Sequence, residues 1–209
     1  VLRRGKPTVH VQFGEARALL AGDALQALAF ELLTPESAPF GAAVQASLCR
    51  LLARAAGFEG MAGGQAIDLA SVGAALDENQ LRRMHRLKTG ALLRGSVLMG
   101  AACRESDGAV GPRVVAALAD YGDAIGLAFQ VVDDILDVTT DTATLGKTAG
   151  KDAAADKPTY VSVLGLDRSR AYAVALHDQA NAALDRSGLA TSSTQALRAL
   201  AAMVVQRDK

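Results

Sequence analysis

Apolar positions recur every three or four residues through most of the chain, and that period is helical. Val9, Phe13, Ala16, Leu19 and Leu20 fall on one side, which predicts a helix over residues 9–20 opened by Pro7-Thr8. Gly22-Asp23 interrupts the pattern, with Asp23 placed to cap a second helix over 24–33. That stretch is apolar nearly all round, so it is expected inside a core. Thr34-Pro35-Glu36-Ser37-Ala38-Pro39 breaks the chain. Further helices are predicted over 40–56, from Gly64, from Asp77, and over 91–103, 112–138, 167–186 and 192–207. Residues 57–64 read as a Gly-rich bend, Ser106-Asp107-Gly108 as a turn, and 139–157 as a loop. No stretch reads as a strand. The expectation is one all-α domain over residues 1–209, a helical bundle.

Two places depart from simple amphipathic patterning. The first is Gln130-Val131-Val132-Asp133-Asp134-Ile135-Leu136-Asp137, three carboxylates inside a stretch otherwise apolar from Ala124 to Val138. On a helix, Gln130, Asp133, Asp134 and Asp137 project from one side. Like charges at that spacing repel, and burying them unpaired costs more, so they call for water or a cation. Hard oxygen donors without His or Cys nearby suit Mg²⁺, which takes one or two carboxylates and leaves other positions to water and phosphates. The plain alternative is a solvated acidic face. The second is Lys88-Thr89-Gly90, where a β-branched residue and then Gly stand in the middle of a helical pattern. Such local rule-breaking marks a functional kink. Gln65 and Asp68 face the same way one turn apart, as either a polar kink or part of a site.

Composition narrows the classes. The chain has 209 residues, half of them hydrophobic, and 22 basic against 22 acidic side chains. Zero net charge offers nothing to nucleic acid, so any basic site must be a local cluster. Few aromatics and an Ala/Leu-rich content fit an all-helical protein. No uncharged apolar run reaches the roughly 18–20 residues of a membrane span. Cys49 and Cys103 show no metal spacing and read as reduced, buried thiols of a cytoplasmic protein. The first residue is Val1, and the chain is expected to start within a longer protein. Gly146-Lys147-Thr148 is not a phosphate-binding P-loop, because Asp141 stands where the motif needs its first glycine. Lysines in that loop, just after the aspartates, suggest a lid closing over an anion.

Taken in order, 2–8 (Leu-Arg-Arg-Gly-Lys-Pro-Thr), 20–25, 64–69, Lys88-Thr89-Gly90, 129–137 and Gly146-Lys147-Thr148 resemble the trans-polyprenyl diphosphate synthase family, in its bacterial farnesyl diphosphate synthase branch. The resemblance covers essentially the whole chain. It implies helices around a deep central cavity, a homodimer, and two aspartate-rich motifs that hold Mg²⁺ against an allylic diphosphate. Asp133, Asp134 and Asp137 match the second motif and carry its metal role. Arg3 matches an allylic diphosphate contact and Arg4 an isopentenyl diphosphate contact. Lys88, Thr89, Gln130 and Lys147 match allylic-side contacts, with Lys88, Gln130 and Lys147 the candidate catalytic residues. Lys157 matches a late substrate-binding lysine, and Gln65 and Asp68 a polar pair lining the cavity. The family's first aspartate-rich motif falls immediately before residue 1.

The implied reaction condenses dimethylallyl or geranyl diphosphate with isopentenyl diphosphate to give farnesyl or geranyl diphosphate. Prepositioned cations stabilise charge developing on the departing diphosphate. Competing readings are a non-catalytic subunit of a heteromeric synthase, a terpene cyclase, and a plain helical binding bundle.

Overall fold

The computed structural model describes residues 2–3, 5–37, 39–104, 110–139 and 157–207. Helices dominate, as the apolar period implies. A short antiparallel ladder, β1 (Leu2–Arg3) with β2 (Lys6–Pro7), opens the chain and is the one element type that the pattern did not predict. Two residues per strand are too few for alternation to register.

Helices α1 (Val9–Phe13) and α2 (Glu15–Leu33) follow. The break between them falls at Gly14, whose φ of +87° only glycine adopts readily, and not at Gly22-Asp23. Gly22 and Asp23 lie inside α2, so Asp23 caps nothing. The core position expected for 24–33 also fails: α2 has no buried residue, and Leu20, Leu25 and Leu32 are each about two-thirds exposed. Helix α3 (Ala42–Ala56) and helix α4 (Met61–Ala70) come next.

Helix α5 (Glu78–His85) starts at a capping box in which Asp77 and Gln80 exchange side-chain to backbone bonds. It runs through a five-residue π-helical segment, Arg86–Gly90, into α6 (Ala91–Ala102). The distortion predicted at Lys88-Thr89-Gly90 is therefore a π-bulge, in which one extra residue swings neighbouring side chains to new directions.

Helix α7 (Pro112–Thr139) is the axis. It is the one described helix long and apolar enough to cross a bilayer, yet it is packed as a core element. Both core clusters centre on it. Leu127, Val131, Val132 and Leu136 meet α5, α8 (Tyr160–Leu164) and α9 (Leu166–Ser187). Leu118, Tyr121 and Ile125 meet α9 and α10 (Thr191–Gln206). Helix α8 was not foreseen, since five residues are too short for a period. The expected turn at 106–108 and most of the expected loop lie outside the described residues. Cys49 and Cys103 are half-buried rather than fully buried.

Candidate active site

The π segment sits between α4 and α7 and sends consecutive side chains to opposite neighbours. Two glycines make this possible. Gly64 on α4 lies against the backbone of Lys88, and a Cβ at Gly126 on α7 would stand 2.5 Å from the Gly90 Cα. Backbone approaches that close exclude any larger side chain.

Towards α4, Lys88 Nζ donates to Asp68 Oδ2 at 2.8 Å. Lys157, which precedes α8, donates to the same oxygen at 2.9 Å. Gln65 Nε2 adds a longer bond at 3.4 Å. Asp68 is only 5% exposed. Burial alone would push its carboxyl up, but the hydrogen bonds and charges of Lys88 and Lys157 outweigh this and hold it below its ordinary value. One buried carboxylate thus gathers two ammonium groups that would otherwise repel, leaving an excess of positive charge.

Towards α7, the Thr89 hydroxyl donates to Gln130 Oε1 at 3.1 Å, and Gln130 Nε2 donates to Asp134 Oδ1 at 3.2 Å. The Tyr160 backbone N–H, at the start of α8, donates to Asp134 Oδ2 at 2.8 Å. Asp134 is 2% exposed. Asp133, beside it, has a side chain about one-third exposed, and Asp137 is buried one turn on.

Arg207 was missed by sequence reasoning. Its guanidinium lies 4.0 Å from the Phe129 ring centre, donates to the Phe129 carbonyl at 2.8 Å, and approaches Asp133 Oδ1 at 3.6 Å. An arginine at the end of a helical pattern reads as a solvated terminus; only the fold brings it 74 residues back along the chain. His85 was missed too. It is buried against the Tyr160 ring, with neither ring nitrogen hydrogen-bonded among the described residues. Burial, then the charge of Lys88, pushes it down to about 3, so it is neutral at physiological pH.

Of the residues singled out from the sequence, Gln65, Asp68, Lys88 and Lys157 form one hydrogen-bonded set and Thr89, Gln130 and Asp134 a second, joined through the neighbouring residues Lys88 and Thr89 of the π segment, with Asp133 and Asp137 on the same α7 turns. Arg3 stands exposed on β1 and makes no hydrogen bond or ion pair among the described residues. Arg4 and Lys147 lie outside the described residues. Among the described residues no group of three His, Cys, Asp or Glu forms a ready metal cage. Asp133 and Asp137 still fit Mg²⁺, which uses few protein carboxylates and draws its remaining oxygens from water and phosphate.

The chain spans 55% of the length of a probable farnesyl diphosphate synthase from Bradyrhizobium diazoefficiens, to which it is 53% identical over 184 residues, 88% of this chain. It is 48% identical over its full 209 residues to the farnesyl diphosphate synthase of Escherichia coli, covering 69% of that protein. A crystal structure of a geranyltransferase from Helicobacter pylori, complexed with magnesium and isoprenyl diphosphate, superposes with a TM-score of 0.82 at 33% identity, over 98% of this chain and 64% of that one. The polyprenyl synthetase family model matches residues 1–193. The chain belongs to the polyprenyl synthetase family.

Proposed function

We propose that the protein is a trans-prenyltransferase of the farnesyl diphosphate synthase type, joining an allylic diphosphate to isopentenyl diphosphate. The observation that carries this reading is the pairing of Lys88 and Lys157 on buried Asp68, one residue along the chain from the Thr89–Gln130–Asp134 bonds on α7. Two ammonium groups sharing one carboxylate retain the charge and the free N–H bonds to grip a diphosphate. As the allylic C–O bond ionises, negative charge grows on the departing diphosphate. Lys88 and Lys157, already held in place, stabilise it without reorganising. Lys147, which follows the same acidic stretch, joins them on the strength of the family motif. On the α7 side of the same segment Thr89 and Gln130 turn oxygen atoms towards each other, and oxygen dipoles favour an allylic cation over a neutral diene.

Asp133 and Asp137 are the side chains that would hold Mg²⁺. When bound, the ion would act as a Lewis acid on the diphosphate oxygens. Gln65 supports Asp68, and Arg3 and Arg4 serve the two diphosphates in the full site. The proton lost after carbon–carbon bond formation passes to an oxygen of the departed diphosphate, the base that ionisation itself supplies, so no protein base is needed; His85 is buried against the Tyr160 ring. A homodimer in the cytoplasm fits the family and the uncovered leucines of α2.

The test is incubation of the full-length protein with isopentenyl and dimethylallyl diphosphates and Mg²⁺, with chromatography of the chain lengths formed. Farnesyl or geranyl diphosphate is expected. Asp133→Ala should lower kcat by about 100-fold or more while the helical content is kept, because losing one member of a like-charge cluster relieves repulsion. Near-normal turnover in that variant overturns the metal role.

A further inference from the structure

The end of α10 reaches the acidic face of α7 by a fixed route. Val204 packs against both core clusters, and Val205 against the one around Val131 and Leu136. At Arg207 the backbone turns extended, with φ −62° and ψ 143°, and the side chain lies over α7. Its guanidinium rests on the Phe129 ring, 4.0 Å from the ring centre, and Nη2 donates to the Phe129 carbonyl at 2.8 Å. The same nitrogen stands 3.6 Å from Asp133 Oδ1, and only 19% of the arginine side chain is exposed. From this placement we infer that Arg207 is a positioning residue that makes cation binding at Asp133 conditional on diphosphate. It is a resident positive charge that opposes a metal ion arriving without an anion. The inference rests on the metal role proposed for Asp133 and adds a residue that no motif singles out.

The contacts of Arg207 explain why it stays when a cation comes. Its short bond goes to a backbone carbonyl and its flat face to an aromatic ring, so neither anchor depends on Asp133. A planar guanidinium held on a ring keeps one orientation, whereas a lysine ammonium swings on a flexible stem. It also cannot yield by losing a proton. With no metal bound, this charge offsets part of the repulsion among Asp133, Asp134 and Asp137. A divalent ion at Asp133 would then sit in the field of a second positive charge, and the two repel. Diphosphate brings several negative charges to the same place and reverses that balance. Coupling between two ligands is reciprocal, so whatever lowers affinity for the metal alone raises the factor by which metal and diphosphate assist each other. Arg207 thereby favours loading of the metal together with the diphosphate over loading of the metal first.

The experiment follows Mn²⁺ binding to the full-length protein by electron paramagnetic resonance, with and without inorganic pyrophosphate, and with free Mn²⁺ corrected for its complex with pyrophosphate. Arg207→Gln should bind Mn²⁺ alone about fivefold or more tighter than the unaltered protein, yet stay within about threefold of it when pyrophosphate is present. A merely structural loss weakens binding in both conditions, so a gain confined to one is the signature. In an Asp133→Asn background the gain should vanish, because the carboxylate that Arg207 guards is gone. Unchanged or weaker binding of Mn²⁺ alone in Arg207→Gln overturns the inference. So does an equal gain with and without pyrophosphate, or a gain that survives Asp133→Asn. Asp133→Asn by itself should weaken Mn²⁺ binding in the presence of pyrophosphate about tenfold or more. If it does not, the metal role of Asp133 is what fails, and the inference falls with it. Should Arg207→Gln fail to fold, Arg207→Met keeps a stem over Phe129 without the charge and must show the same selective gain; its absence there refutes the role of Arg207.

Discussion

Helices α2 and α7 are both long and rich in apolar residues, α2 mostly alanine and leucine and α7 a mixture of valine, alanine and leucine with five aspartates, and they end in opposite environments. Fifteen residues of α7 are buried and none of α2. Intrinsic helix propensity cannot separate them, because it concerns the backbone and not what covers it. The difference lies in fit. Helix α7 offers small residues where neighbours must approach, Gly122 against Arg94 and Gly126 against Gly90, between rows of larger apolar side chains. Helix α2 has its apolar residues spread round its circumference, and α1 and α3 cover little of it. Apolar composition states how much a helix gains from being covered; the shape of its surface decides which partner can cover it.

The comparison is broken most severely by filling a notch on α7. Gly126→Val would set side-chain atoms where the Gly90 backbone already lies. Overpacking at a backbone contact costs about 3 kcal/mol or more, and here it also displaces the π segment that bears Lys88 and Thr89. We expect a lowered urea midpoint together with weakened pyrophosphate binding. Retention of both would mean that α6 and α7 are not held by this notch. Gly22→Val in α2, where an added side chain meets open space, should be neutral or stabilising by a few tenths of a kcal/mol, because valine has the higher helix propensity.

This contrast also marks what the chain discloses before folding. The helical period, the acidic stretch and the distorted Lys88-Thr89-Gly90 were legible because each is local, written within one or two turns. The environment of α2 was not legible, because burial is a property of two surfaces and only one is in the pattern. For the same reason three aspartates that look equivalent in sequence differ in the fold. The Tyr160 N–H that claims Asp134 lies 26 residues away, and Arg207, which approaches Asp133, lies 74 away. The pairing of Asp68 with Lys88 and Lys157 spans 20 and 89 residues, so the resemblance could name all three without showing that they touch.

A smaller effect separates the two regions by pH. The packed body holds His85 neutral, pushed down to about 3 from an ordinary 6.5, while α1 and α2 contain no buried side chain at all. Below pH 6.5 the unfolded chain takes a proton that the folded one refuses, so stability present above that pH is lost as pH falls towards 3. The contribution lost by pH 5 is about 2 kcal/mol. His85→Gln, similar in volume and unable to titrate, should flatten the fall in stability between pH 7 and pH 5, read from urea midpoints. An unchanged slope would show that His85 is charged in the fold or that other groups govern acid unfolding.

The smallest effect is the most informative about α2. Leu25 is 66% exposed, and in the 209-residue chain it has little apolar area left to lose. Leu25→Gln should change the stability of this chain by less than about 0.5 kcal/mol, the range of ordinary surface substitutions. The same substitution in the full-length protein measures what the rest of that protein, or a second copy, adds. If α2 is covered there, the loss rises to about 2 kcal/mol, as for a leucine withdrawn from water, and its midpoint becomes concentration-dependent only if the cover is another subunit. A loss of that size already in the 209-residue chain, at dilution, would mean that α2 packs its leucines inward and that its contrast with α7 does not hold.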